Sequence, residues 1–190
     1  MTIRVITGSA KGKRLKQVPG DTTRPITDRA KEALFSILGD WVAGSRMLDL
    51  FGGTGAVGIE ALSRGAAHVV FVEIAPAALR VLRENLQWTQ LADRATVVRG
   101  DAFNYLEGQH PLPFDIIYIA PPQYQGLWHK ALGMIDARPD MLTDDGVVVV
   151  QIYPKEFEDM ALETLILYDR RAYGSTALCF YEKPEPTADS

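Results

Sequence analysis

The sequence predicts a single α/β domain whose sheet is mostly parallel and finishes in an antiparallel hairpin. Two observations carry this reading. From residue 48 to residue 153, short apolar runs alternate with amphipathic stretches, the rhythm of parallel strands joined by crossover helices. Beyond residue 153, two strand-like runs follow each other around a tight turn signal, so the last connection is a hairpin. With 190 residues, 47% hydrophobic and 23% charged, the chain suits one compact domain spanning residues 1–183. Its longest apolar runs, such as Val147–Val150, fall far short of the roughly 20 residues of a membrane span. Met1–Ile6 is too brief an apolar start for a secretory leader, and the single cysteine, Cys179, excludes an intrachain disulfide. The expectation is a cytoplasmic protein without membrane contact.

In chain order, Thr27–Leu38 reads as an amphipathic helix, with apolar residues at 30, 33, 34, 37 and 38 and a Thr27 or Asp28 cap after Pro25. Leu48–Phe51 is the first strand of the alternating region, ending in Gly52-Gly53-Thr54-Gly55. Ala56–Arg64 follows as a helix that can bury Val57, Ile59, Ala61 and Leu62. His68–Val72 is a strand ending at Glu73, and Pro76–Thr89 a helix with Leu79, Leu82 and Leu86 on one face. Ala95–Arg99 leads to Asp101. Phe114–Ile119 is a fourth strand, stopped by Pro121-Pro122; a helix near Leu127–Asp136 follows, and Gly146 opens a fifth strand, Val147–Tyr153. Leu165–Arg171 and Thr176–Tyr181, separated by Tyr173-Gly174-Ser175, complete seven strands. Residues 184–190 are polar and proline-rich, a disordered tail by composition.

Charge is distributed unevenly. Residues 1–31 hold eight Lys or Arg against two Asp, a balance of +6, so the remainder carries −10 within the net −4. An acidic body with one basic arm approaches a polyanion in a defined orientation, because only the arm gains by releasing phosphate counterions. The competing explanation is a solvated basic tail.

In an open α/β sheet the ligand sits at the carboxyl ends of the strands, where strand order reverses. Asp49 to Gly55 ends the first of these strands, and Gly53-Thr-Gly55-Ala-Val-Gly58 satisfies G-x-G-x-x-G. Such glycines let backbone approach a ligand, and the helix start behind them favours a negative group. Glu73 ends the next strand twenty residues after Gly53, the place of a carboxylate that accepts from both ribose hydroxyls; the alternative is a surface Glu capping a helix. Asp101 ends the third, where its side chain can accept from an adenine amine while the backbone at Ala102 meets the ring edge; the alternative for Asp101 is a helix cap. Three acids at successive strand ends point to an adenosine-containing ligand. Pro121 and Pro122 lack N–H groups and fix φ, which leaves stiffly held carbonyls to accept from a substrate amine. Tyr124 is placed to stack on a base swung out of its helix.

Asp49-Leu-Phe-Gly-Gly-Thr-Gly, Glu73, Gly100-Asp-Ala, the proline pair and Thr23-Arg-Pro-Ile-Thr-Asp-Arg resemble the RsmD family, over nearly the whole chain. The resemblance implies a Rossmann-like class I S-adenosylmethionine-dependent methyltransferase with a seven-stranded mixed sheet. It implies S-adenosyl-L-methionine as cofactor and the N2 amine of a guanine in 16S rRNA as substrate, within an assembled or assembling small ribosomal subunit. It implies that Gly53 and Gly55 pack on the methionine part, supported by Asp49, that Glu73 holds ribose, and that Asp101 and Ala102 meet adenine. Pro121, Pro122 and Tyr124 would handle the target amine, and Lys11, Lys13, Arg14, Lys16, Arg24 and Arg29 the RNA. No metal is implied. The family motif is Asp-Pro-Pro-Tyr; here Ala120 replaces the acid and Gln123 separates Pro122 from Tyr124. Gln123 could supply a substitute acceptor. Other readings are an amine methyltransferase acting on DNA, a nicotinamide-dependent oxidoreductase, and an RNA-binding module that has lost catalysis.

Overall fold

The structure, a computed structural model, describes residues 3–19 and 25–185. Arg24 and the last five residues of the expected tail, 186–190, lie outside them. The arm opens with a short antiparallel pair, β1 (Ile3–Arg4) and β2 (Arg14–Leu15), followed by α1 (Asp28–Leu38). Alternation then runs β3 (Arg46–Asp49), α2 (Ala56–Ser63), β4 (His68–Glu73), α3 (Pro76–Thr89), β5 (Ala95–Arg99), α4 (Ala102–Glu107), β6 (Phe114–Ile119), α5 (Leu127–Asp136) and β7 (Leu142–Ile152). The hairpin β8 (Ile166–Tyr173) and β9 (Thr176–Glu182) closes the chain.

The main sheet has seven strands in the order β5-β4-β3-β6-β7-β9-β8. β5, β4, β3, β6 and β7 run parallel to one another, while β9 runs antiparallel between β7 and β8. Side-chain alternation along the strands divides the core in two. Met47, Val69, Phe71, Ile116, Val147 and Val149 face α1, α2 and α3, whereas Leu48, Val70, Val72, Ile117, Val148 and Val150 face α4 and α5. The chain builds outward from β3 through β4 to β5, then returns to β6 on the other side of β3. The reversal therefore falls between β3 and β6, where Asp49 pairs in register with Tyr118.

Four details differ from expectation. β3 begins at Arg46 and ends at Asp49, so Leu50 and Phe51 already belong to the turn. β7 begins at Leu142 rather than Gly146, because a register shift opposite Phe114–Ile116 accommodates the polar stretch Thr143–Gly146 within the pairing. The segment after Asp101 forms α4, and the basic arm carries the β1–β2 pair.

The arm is fixed to the body by a buried polar cluster. Glu60 of α2 is fully buried and accepts from the backbone N–H groups of Ile6 at 2.8 Å and Thr7 at 3.0 Å and from Arg64 Nε at 2.8 Å. The buried Lys31 ammonium lies 3.4 Å from the same carboxylate and donates to the carbonyl of Arg4. Burial lowers the Lys31 pKa and Glu60 works against that lowering. Ser63 continues the attachment, its Oγ donating to the carbonyl of Thr7 at 2.6 Å and accepting from Ala10 N–H at 2.9 Å. Gly8 passes so close that a Cβ would lie 1.8 Å from the Ser63 carbonyl oxygen.

Candidate functional site

Asp49, the last residue of β3, is 2% exposed. Its Oδ2 accepts from Gly58 N–H at 3.2 Å, but Oδ1 is buried with no hydrogen-bond partner. Burial pushes the carboxyl up to about 7; the Gly58 N–H opposes this and the nearby Glu73 carboxylate adds to it. A buried acceptor without a donor costs free energy that a cationic or N–H-bearing ligand would relieve.

The three glycines of the motif have different reasons to be glycine. Gly53 has φ +52°, and a Cβ there would approach nothing nearer than 4.0 Å, so its face is open. At Gly55, φ +85°, a Cβ would lie 2.5 Å from Leu82 Cδ1 and 2.9 Å from Ile59 Cδ1; at Gly58 it would lie 2.2 Å from the Phe71 ring. The latter two therefore let α2 approach α3 and β4.

Glu73 crosses the mouth of this loop. Its Oε2 accepts from Gly53 N–H at 2.8 Å, and its Oε1 accepts from Ile74 and Ala75 N–H at 2.8 and 2.7 Å. Three of the carboxylate's roughly four acceptor positions are thus engaged by backbone, which fixes its direction at the start of α3. Asp101 caps α4: its Oδ1 accepts from Phe103 and Asn104 N–H at 2.9 and 3.1 Å, leaving Oδ2 for another donor. Ala102, the first residue of α4, is buried in the core.

Three neighbours escaped the sequence reading. Ile74 is 61% exposed directly after Glu73, an apolar side chain left at the site's lip. Phe103 meets Phe51 edge-on at 6.3 Å, with Lys130 Nζ 4.1 Å over its ring. Asn85, fully buried on α3, donates through Nδ2 to the carbonyls of Thr54 at 2.9 Å and Lys16 at 3.1 Å, while its Oδ1 accepts from Lys16 N–H at 2.8 Å. One amide therefore ties the glycine loop to the arm. A buried asparagine inside an amphipathic helix is the only sequence signal for it.

The loop after β6 places Pro121 in the interior and Pro122 at the surface. Tyr124 has φ +59°, an uncommon conformation for a residue with a Cβ, and is 68% exposed. Its N–H donates to Glu156 Oε1 at 2.6 Å, while Glu156 Oε2 accepts from Tyr153 N–H at 3.1 Å. The Tyr124 and Tyr153 rings stand 5.7 Å apart. A carboxylate from the segment after β7 thus holds the strained tyrosine beside a second ring, a partner that sequence separation hid.

The arm's cations sort into two groups. Lys16 pairs with Glu84 at 2.8 Å, and Lys13 donates to the carbonyl of Trp88 at 3.0 Å. Lys11, Arg14 and Arg29 are exposed and form no ion pair among the described residues. The site residues at the ends of β3 and β4 converge, and Gly100 N–H, donating to the carbonyl of Glu73 at 3.1 Å, brings the Asp101 turn beside them.

The family profile described as Conserved hypothetical protein 95 matches residues 3–182. YlbH of Bacillus subtilis (strain 168), named as a candidate rRNA methyltransferase, is 38% identical over 184 residues, covering 95% of this chain and 99% of that protein. Ribosomal RNA small subunit methyltransferase D of Escherichia coli (strain K12) is 34% identical over 181 residues, covering 95% and 90%. The solved structure of yhhF, a candidate methyltransferase from Escherichia coli, superposes with a TM-score of 0.82 at 32% identity, covering 96% of this chain and 98% of that one.

Proposed function

The chain belongs to the RsmD family of methyltransferases, and from that premise we propose that it methylates the exocyclic N2 amine of a guanine in 16S rRNA, presented by a small ribosomal subunit. It is a methyltransferase that uses S-adenosyl-L-methionine. The observation that carries the reading is the convergence at the β3–β6 reversal of an unpartnered buried carboxylate oxygen on Asp49, the open face of Gly53 and the oriented Glu73 carboxylate. This set fits a ligand bearing a positive charge at one end and vicinal hydroxyls at the other.

The bound cofactor supplies an electrophilic methyl on a sulfonium. The rest is positioning, exclusion of water and removal of a proton. Asp49 Oδ1 would take the cationic end, Glu73 would accept from a ribose hydroxyl through its remaining acceptor position, and Asp101 Oδ2 with the Ala102 backbone would take adenine. Pro121 and Pro122 cannot donate, so the carbonyls of Ala120 and Pro121 accept from the amine hydrogens and turn its lone pair toward the methyl. The methylated amine, strongly acidic while it holds its extra proton, releases that proton to water. The Tyr124 and Tyr153 rings offer stacking faces to the extruded base. Ala120 removes the family carboxylate from this loop, and backbone carbonyls supported by Gln123 serve in its place.

The test is incubation with labelled S-adenosyl-L-methionine and small subunits lacking the modification, followed by nucleoside analysis. Labelled N2-methylguanosine is expected. Label in another nucleoside, or none despite cofactor binding, would overturn the assignment.

A further inference from the structure

We propose that the outward face of α3, around Trp88, is a second RNA-binding surface that stacks an unpaired base, remote from the reacting atoms. This rests on the rRNA reading above. Trp88 is 59% exposed, although an indole is among the most favourable side chains to bury. Arg80, Glu84 and Trp88 recur every four residues along α3 and so form one exposed stripe, with Arg83 beside it. Glu84 is the only acid in the helix, and its charge is matched by Lys16 at 2.8 Å. Arg80 and Arg83 form no ion pair among the described residues. Lys13 Nζ stands 5.6 Å from the Trp88 ring centroid while bonded to the Trp88 carbonyl.

This places an exposed indole, with Lys13 over its ring, at the end of a helix surface that also carries Arg80 and Arg83, on a protein whose net charge is −4. An exposed aromatic ring on a surface that also carries positive side chains matches the chemistry of single-stranded nucleic acid, whose bases stack and whose phosphates pair. An acidic peptide would use the cations but not the ring. Trp88 lies about 18 Å along the helix from Pro76, at about 1.5 Å per residue, so it contributes to substrate affinity and register rather than to the chemical step.

Binding of an unmodified 16S rRNA transcript is measured against salt, alongside cofactor affinity, thermal unfolding and turnover on small subunits lacking the modification. Trp88→Ala should weaken RNA binding about 5- to 150-fold, the range of base–aromatic stacking, raising KM while kcat, cofactor affinity and the salt slope stay unchanged. Trp88→Phe should retain most of the affinity, and Trp88→Leu should not. Joint replacement of Arg80 and Arg83 by Ala should reduce the salt slope by about 1.4, at about 0.7 per phosphate contact. Wild-type RNA affinity in Trp88→Ala, or rescue by Trp88→Leu equal to that by Trp88→Phe, would overturn the proposal. A wild-type protein that binds the transcript through Trp88 yet methylates no guanine in small subunits would instead sink the functional assignment and leave this surface standing.

Discussion

Asp49 holds a carboxylate in the interior with one oxygen unanswered. Its pKa is about 7 when folded and near 3.8 when the chain is unfolded, so between those values the folded state binds more protons. Stability from this residue is therefore complete below about pH 4, declines as pH rises toward 7, and is level above. In cofactor-free protein, the stability of Asp49→Asn relative to wild type should rise across that window, by at most about 4 kcal/mol at 1.36 kcal/mol per pH unit. The same variant should bind S-adenosyl-L-methionine at least about tenfold more weakly, as expected for a lost charge-assisted hydrogen bond. Denaturant titrations at pH 4, 5.5 and 7.5 with calorimetric cofactor binding check both; a stability difference independent of pH would mean that Asp49 is not the titrating group. Stability here is surrendered to keep an acceptor ready for a ligand.

At the level of elements, the arm depends on Glu60. Its carboxylate meets two backbone N–H groups, Arg64 and the buried Lys31. Glu60→Gln strands Lys31 in a low-dielectric interior, and the expected loss is about 3–5 kcal/mol, with hydrogen exchange at Ile6 and Thr7 accelerated in parallel. A loss below about 1 kcal/mol would show that the arm is held by other contacts. None of this docking was legible in the sequence, where Lys31 counted among the basic residues of a free arm. Composition reports charge but not burial, and β1 and β2 are too short to show a period. The central alternation was legible because each strand carries an apolar run and each crossover helix a 3.6-residue pattern. The α4 helix escaped because its six residues are too few to display a 3.6-residue period, and its cap, Asp101, carries the alternative of a ligand contact. Likewise, the acids at the strand ends were visible from spacing, whereas the Glu156–Tyr124 and Asn85–Thr54 bonds join residues 32 and 31 positions apart.

Across the whole molecule, cations that fasten the arm are separate from cations that stay free. Lys13 and Lys16 engage α3, while Lys11 and Arg14 on the same arm form no ion pair among the described residues. Neutralising Lys11 and Arg14 together should flatten the salt dependence of RNA binding without lowering the melting temperature, whereas Lys16→Ala should also loosen the arm. Filter binding across a salt series, paired with thermal unfolding, separates the two; an unchanged slope in the Lys11, Arg14 double variant would return that part of the arm to simple solvation.

The sheet order has a consequence for how the protein is made. β9 lies inside the sheet between β7 and β8, yet it follows both of them in the chain. During synthesis, β8 emerges with no strand to join, and one side of Val147-Val148-Val149-Val150 stays unpaired until Glu182 has left the ribosome. Four consecutive valines at an open edge are a template for pairing with another nascent chain. Stalled or truncated chains ending before residue 176 should therefore be the aggregation-prone species, and addition of Thr176–Glu182 converts that hazard into the sheet's interior.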